Sequence, residues 1–257
     1  MKSKLDLLII VVFIITLISG SFYFYLDNES ETIKIANWNL QIFGMKKASN
    51  ETLLKIYSDI IQEYDIVFVQ EIKDKSNVAF PRLCSMLQNY SCVNSSRAGT
   101  TNNKEQYGII YRNGIDLVSF YDFNFDLQDV FERPPIKLEF LVGSENFIIY
   151  NIHTKPDNTK NELGFLEDLV DDFGNVIVIG DLNADCSYYN RDREKDFSNW
   201  KWIVNDDDDT TSSGSFCAYD RIILNRDANK LYKSYGINKQ ITKELSDHYL
   251  VWVEMKI

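Results

Sequence analysis

The sequence predicts an α+β protein rich in sheet, and three observations carry that prediction. Short runs of β-branched and aromatic residues recur along the whole chain, several with no helical segment between them. Only a few stretches carry an amphipathic helical period. At 257 residues, 45% hydrophobic and 14% aromatic, the chain can bury one large core. No internal repeat and no Pro- or Gly-rich linker divides it. The expected organisation is a distinct N-terminal segment, 1–30, and one folded domain, 31–257.

The elements follow in order. "TIKIANWNL" (32–40) alternates and reads as a strand. "SNETLLKIYSDIIQEY" (49–64) reads as a helix. Ser49 or Asn50 can cap it, and Leu53, Tyr57, Ile60, Ile61 and Tyr64 share one face. "DIVFVQE" (65–71) is a strand ending at Glu71, and a helix around 76–89 is opened or interrupted by Pro81. "YGIIY" (107–111), "IDLVSFY" (115–121), "IKLEFLV" (136–142) and "NFIIYNIH" (146–153) read as strands. The runs at 107–121 and 136–153 are expected to pair as antiparallel neighbours. A helix over 160–173 points Leu163, Leu166, Leu169, Val170 and Phe173 inward and stops at Gly174. "VIVIGD", "YDRIILN" (219–225) and "YLVWVEMKI" (249–257) complete the strands.

The N-terminus stands apart. Leu7 to Leu26 contains no charged residue, Lys2 and Lys4 precede it, and Asp27, Glu29 and Glu31 follow it. Twenty helical residues span roughly 30 Å, one bilayer core. The charge asymmetry puts the rest of the chain outside the cytoplasm. An uncleaved membrane anchor is the expectation, with a signal peptide cut near Ser19-Gly20-Ser21 as its rival.

Net charge is −11 and argues against a broad basic nucleic-acid face. Cys84, Cys92, Cys186 and Cys217 form no CxxC pair, so a zinc site is not expected. An even count beyond an export signal fits disulfides, although four buried thiols would also satisfy the sequence. A Cys186–Cys217 bond would close a loop of about thirty residues, worth roughly 3–4 kcal/mol in the chain-entropy model. Cys84–Cys92 is a second possible pair. Sequons at Asn28, Asn50, Asn89 and Asn94 permit glycans outside a cell.

The chemistry concentrates at strand ends. "NVIVIGDLNADC" (175–186) runs from a buried strand straight into Asp181, Asn183 and Asp185. Such a loop can be a turn, or a set of hard oxygen ligands for a cation. Asn39, Glu71, Asn151, Asp220 and Asp247 also lie at strand ends, and so do His153 and His248, the two histidines of the chain. Carboxylates alone would suit a cation. Adding both imidazoles suggests proton transfer at phosphorus.

"QE" (70–71), "GDLNAD" (180–185) and "SDHY" (246–249) resemble the endonuclease/exonuclease/phosphatase superfamily. "KEQY" (104–107), "CAYDRI" (217–222) and "ADC" (184–186) narrow the resemblance to its deoxyribonuclease I-like members, from about residue 33 to the C-terminus. The resemblance implies a four-layer α/β/β/α sandwich, with two packed, mainly antiparallel sheets flanked by helices. It implies a divalent-metal-dependent endonuclease, acting as a monomer outside the cytoplasm, that cuts DNA with little sequence preference to 5′-phosphate and 3′-hydroxyl ends. RNA, lipid or inositol phosphates are the alternative substrates.

By the same resemblance, Asn39 and Glu71 hold Mg²⁺ or Mn²⁺, with Asp181 and Asp247 supporting it or a second ion. Glu105 pairs with His153, Asp220 pairs with His248, and Asn183 hydrogen-bonds a phosphate oxygen. Arg133 and Tyr219 fall among the substrate contacts. Lys73 stands where relatives place an arginine in the minor groove, and Asn103 where they place an aromatic residue against a sugar. Asp209, Thr211, Ser213 and Ser215 match a structural Ca²⁺ loop, and Cys186–Cys217 matches the family disulfide.

Overall fold

The structure is a computed structural model that describes residues 31–100 and 104–257. The proposed N-terminal anchor, 1–30, and Asn103 lie outside the described residues. Among the described residues no helix is long and apolar enough to cross a membrane.

Thr32–Ile257 forms one compact unit. Its elements are β1 (Thr32–Phe43), α1 (Met45–Ala48), α2 (Glu51–Ile61), β2 (Ile66–Ile72), α3 (Ala79–Cys84), β3 (Tyr90–Asn94) and β4 (Gln106–Arg112). There follow β5 (Asp116–Asp122), β6 (Ile136–Val142), β7 (Glu145–Asn151), α4 (Thr159–Leu169) and β8 (Asn175–Asp181). The chain closes with α5 (Arg191–Glu194), β9 (Lys201–Trp202), β10 (Asp220–Leu224), α6 (Ala228–Leu231), β11 (Tyr232–Asn238) and β12 (Leu250–Lys256). One six-stranded sheet has the order β11-β12-β1-β2-β4-β3 and the other β5-β6-β7-β8-β10-β9. Pairing is antiparallel except for β1–β2 and β7–β8.

Three apolar clusters define the layers. Ile33, Ile35, Phe68 and Ile109 of the first sheet meet Leu138, Phe140, Ile149, Ile177 and Ile222 of the second. Trp38, Leu40 and Val69, on the other face of the first sheet, pack against Leu54, Tyr57 and Ile61 of α2 and Phe80 of α3. Tyr150, Val176, Val178 and Ile223 do the same for the second sheet against Leu163 and Leu166 of α4. This is the expected α+β sandwich. Each fully buried Phe or Leu in these layers contributes about 1.5–3 kcal/mol of transfer free energy.

Several sequence expectations are corrected. β4 and β5 follow each other in sequence but belong to different sheets, so the pairing expected over 107–121 does not occur. The turn between them changes sheets, and each strand finds its partners elsewhere. β6 and β7 do pair, Ile136 opposite Asn151. The helix expected over 160–173 ends at Leu169, and Phe173 is 85% exposed instead of buried. Val170 already has extended backbone, and the Asp171 and Asp172 carboxylates beyond it accept from Lys137 and Asn225. The segment 76–89 is helical over six residues only, since Ser85 ends the helix and the chain turns into β3. Asn50 supplies the α2 cap, accepting from the Leu53 N–H at 3.1 Å.

All four cysteines are paired, Cys84 with Cys92 and Cys186 with Cys217, with Cα separations of 6.3 and 5.9 Å. Both pairings suit an oxidising compartment.

Asp74 is a structural carboxylate of the β2–α3 link. It is buried and accepts from the Ser76 N–H and hydroxyl and from the Val78 and Ala79 N–H groups at 2.6–2.9 Å. Burial alone would raise its pKa, but these four hydrogen bonds outweigh burial and hold it far below the usual carboxylate range. Asp74→Ala is therefore expected to cost about 1–3 kcal/mol in urea unfolding at pH 7. The contribution is complete above the unfolded pKa, about 4, and fades as pH falls below it. A gap between variant and wild type that stays constant to pH 2 would contradict this.

Candidate active site

The period-2 positions that face the opposite sheet start apolar and turn polar at one end of the sandwich. In β1 they read Ile33, Ile35, Asn37, Asn39; in β2 they read Ile66, Phe68, Gln70. β7 gives Phe147, Ile149, Asn151, and β8 gives Ile177, Ile179, Asp181. The antiparallel β4 and β10 reverse the order, reading Glu105 (just ahead of β4), Tyr107, Ile109 and Asp220, Ile222, Leu224. Strand direction therefore brings every polar terminus to the same end. The site is the continuation of the inter-sheet core.

Buried polar groups there need partners, and they find them across the sheets. The Asn151 amide donates to Asn37 Oδ1 at 2.9 Å, and Gln70 Nε2 donates to the Ile152 carbonyl at 2.7 Å. The Asp181 N–H donates to Gln70 Oε1 at 2.9 Å. Gly180 is required at this crossing, because a Cβ there would stand 2.0 Å from the Ile152 oxygen.

Above this floor stand two carboxylate–imidazole pairs. His153 Nδ1 lies 2.6 Å from Glu105 Oε1, and His248 Nδ1 lies 2.7 Å from Asp220 Oδ2. The two Nε2 atoms face one oxygen, Asp181 Oδ2, at 3.3 Å from His153 and 3.6 Å from His248. Asn39 Nδ2 donates to that oxygen at 3.0 Å and reaches Glu71 Oε1 at 3.3 Å. Its Oδ1 accepts from the Gln41 N–H. Glu71 sits on a bulge of β2 with φ 60°, which turns it to the same side as Gln70. Gln41 and Ile42 also have positive φ, and the Ile42 N–H donates to Glu71 Oε2 at 2.9 Å.

The remaining expected residues are placed as follows. Arg133 donates to the carbonyls of His153 and Thr154 at 2.8 and 2.6 Å and lies 3.2 Å from Glu105. Lys73 folds inward, 3.0 Å from Glu71 and 3.5 Å from Glu105. Asn183 donates to the Thr154 carbonyl at 3.1 Å, and Asp247 stands at the rim, 3.9 Å from His248 Nε2. Tyr219 packs on Tyr188 with centroids 5.6 Å apart. Thr211 turns its N–H onto Asp209 at 3.0 Å and its hydroxyl lies 2.6 Å from the Ser215 carbonyl, while Ser213 reaches Ser215 at 3.5 Å. That loop is stitched to the His248 segment, the Ser212 N–H donating to the Asp247 carbonyl at 2.8 Å.

Sequence reasoning missed Asn37, Tyr107 and Thr154. Asn37 shares a face with Asn39, and Tyr107 with Glu105, so the period-2 rule could have found both. Tyr107 presents its hydroxyl to the His153 N–H at 3.1 Å. Thr154 lies beyond a strand end, where no period applies.

The electrostatics are uneven. Burial alone would raise Glu71, but His153, Lys73 and the hydrogen bonds from Lys73 and Ile42 bring it down to about 2. Glu105 and Asp181 are likewise held low against burial, chiefly by the imidazoles. Asp220 is raised to about 6 by burial, only partly relieved by His248. Burial would lower His248, yet Asp220 and Asp181 raise it to about 10. Hard oxygen donors converge on the Glu71 side, where Glu105 Oε2 is buried with no hydrogen-bond partner among the described residues. That donor set fits a divalent cation such as Mg²⁺. A third cluster, Asp185 with Cys186 and Cys217, does not, because its cysteines form a disulfide.

His248 makes a testable prediction in metal-free protein. Its folded pKa lies above the unfolded value of about 6.5, so its contribution is complete below that pH and is lost as pH rises through about 10. Imidazole ¹H–¹⁵N spectra should show His248 doubly protonated at pH 8. His248→Gln should flatten the fall in Tm between pH 7 and 10. A neutral ring at pH 8 would refute the assignment.

Known proteins resemble this chain in sequence and in fold. Residues 36–248 match the model of the Endonuclease/Exonuclease/phosphatase family. Deoxyribonuclease-1 of Gallus gallus is 31% identical over 88% of this chain and 93% of its own. The Homo sapiens protein of that name gives the same identity and coverages. Deoxyribonuclease gamma of Rattus norvegicus is 29% identical over 86% of this chain and 83% of its own. Among solved structures, a mannosyl-6-phosphatase of Bacteroides thetaiotaomicron superposes with TM-score 0.64 at 16% identity, covering 88% of this chain and all of that one. Truncated Caenorhabditis elegans TDP2 gives 0.63 at 18%, covering 88% and 98%. The chain belongs to the endonuclease/exonuclease/phosphatase family, as a deoxyribonuclease I-like member.

Proposed function

We propose that this chain is a divalent-metal-dependent endonuclease that hydrolyses DNA phosphodiester bonds to 5′-phosphate and 3′-hydroxyl ends, largely without sequence preference. The observation that carries the reading is the pair of imidazoles, each backed by a buried carboxylate, with both Nε2 atoms facing one point. A site for binding alone has no use for two. The 29–31% identity to deoxyribonucleases over most of the chain favours DNA.

A carboxylate on Nδ1 fixes which ring nitrogen faces the substrate. Glu105 does this for His153 and Asp220 for His248. One ring takes the proton of the attacking water and the other gives one to the leaving 3′-oxygen. Glu71 and Asn39, with Asp181 and Asp247 beside them, would hold Mg²⁺ or Mn²⁺. Such an ion, when bound, supplies Lewis-acid charge to the scissile phosphate. Asn183 and Arg133 orient phosphate oxygens, and Tyr219 and Lys73 flank the strand. The 209–215 loop would take Ca²⁺ through Asp209, Thr211, Ser213 and Ser215 and brace the His248 segment. Lys73 lacks the planar fork of arginine and is already paired with Glu71, so grip on duplex DNA is weak and cation-bridged. The enzyme works as a monomer outside the cytoplasm, secreted or held at a membrane by segment 1–30.

Plasmid nicking with Mg²⁺, Mn²⁺ and Ca²⁺, beside RNA, inositol phosphates and sphingomyelin, tests this reading. DNA should be cut and EDTA should abolish cutting. His153→Ala and His248→Ala should each lower kcat by about 10²–10⁴. Wild-type rates in either variant, or preference for a lipid or inositol phosphate, would overturn it.

A further inference from the structure

The two walls of the site meet at Lys47, in α1. Its ammonium donates to the Leu40 carbonyl at 2.7 Å and to the Leu245 carbonyl at 2.8 Å. Leu40 immediately follows Asn39 and precedes Gln41 and Ile42, the positive-φ turn whose N–H groups hold Asn39 and Glu71. Leu245 begins the segment that carries Asp247 and His248. Tyr57, fully buried, donates its hydroxyl to the same Leu245 carbonyl at 2.6 Å, and the ammonium lies 6.0 Å from its ring centre. Two neutral bonds run alongside, Ser246 Oγ to the Asn39 carbonyl at 2.6 Å and Trp38 Nε1 to the His248 carbonyl at 3.1 Å.

We infer that Lys47 is a positioning residue for the reaction. Its charge clamps the Asn39–Glu71 turn of the first sheet to the loop that presents His248. The inference rests on the reading of Glu71 and His248 as parts of the reaction centre. The geometry singles out Lys47 because, among the described residues, it alone bridges the two backbones through one charged group. Charge-assisted bonds are about twice as strong as neutral ones. A surface lysine usually leaves its ammonium in water; this one places two of its three N–H donors on carbonyls flanking the site. Burial outweighs the attraction of Asp247 and Glu71 and lowers its pKa to about 8, so it stays charged near neutrality.

The test compares Lys47→Met, which keeps the stem and removes the donors, with Lys47→Arg, which keeps charge and donors. Lys47→Met should lower kcat on plasmid DNA roughly 10–100-fold while KM changes less than about twofold. It should also weaken Mn²⁺ binding measured by calorimetry without DNA. Lys47→Arg should recover most of both. A folded Lys47→Met with wild-type kcat and wild-type Mn²⁺ affinity overturns the inference, and so does an equal loss in Lys47→Arg. If Lys47→Met fails to fold, Tyr57→Phe removes one bond from the same Leu245 carbonyl and should lower kcat and Mn²⁺ affinity in the same sense. Unchanged values there count against the clamp. A wild-type protein inert on DNA would sink the functional reading instead, and the Mn²⁺ comparison would still decide this one.

Discussion

The site depends on one constraint: the two sheets touch through buried amides, not only through apolar side chains. Asn37 and Gln70 of one sheet and Asn151 of the other, with the Ile152 carbonyl and the Asp181 N–H, satisfy each other, and the three amide side chains are fully buried. An apolar interface tolerates sliding. A hydrogen-bonded one does not, since each misplaced amide would leave a buried polar group unpaired at about 1–3 kcal/mol. This network fixes the distance and register between β1–β2 and β7–β8. The imidazoles are offered from strand ends beside it, His153 past β7 and His248 ahead of β12. Their common approach to Asp181 follows from that register.

Charge then sets what the arrangement can do. The chain is strongly acidic, and its site gathers Glu71, Glu105, Asp181 and Asp220 around two imidazoles and Lys73. Carboxylates so close repel one another and a phosphate alike. A divalent cation reverses both effects, which gives a physical reason for metal dependence in this chain's own residues. On the proposed reading, affinity for the nucleic acid would be carried by the cation and a few hydrogen-bond donors, without a broad basic face.

Much of this was legible in sequence. Buried strands reveal themselves by apolar runs, so β1, β2, β4 to β8, β10 and β12 could be read directly. Their polar termini, Asn39, Glu71, Asp181 and Asp220, stood out against those runs. β3 and β11 could not be read. Their residues, "YSCVN" and "YKSYGIN", are half-buried and mostly polar, so no period separates them from loop. The short helices α1, α5 and α6 are single turns made by tertiary contact. Sheet membership was also hidden, because alternation tells which residues face inward and not which partner strand they meet. Lys47 gave no signal, since both its partners are backbone carbonyls.

The central claim is that groups dispersed from Asn39 to His248 act on a single phosphorus. It is tested most directly by diffraction from crystals soaked with Mn²⁺ and a slowly hydrolysed dinucleoside phosphorothioate. The account predicts one phosphorus between the Nε2 atoms of His153 and His248, with a Mn²⁺ anomalous peak against Glu71. A phosphorus bound away from both rings, or a metal peak remote from Glu71, would contradict it.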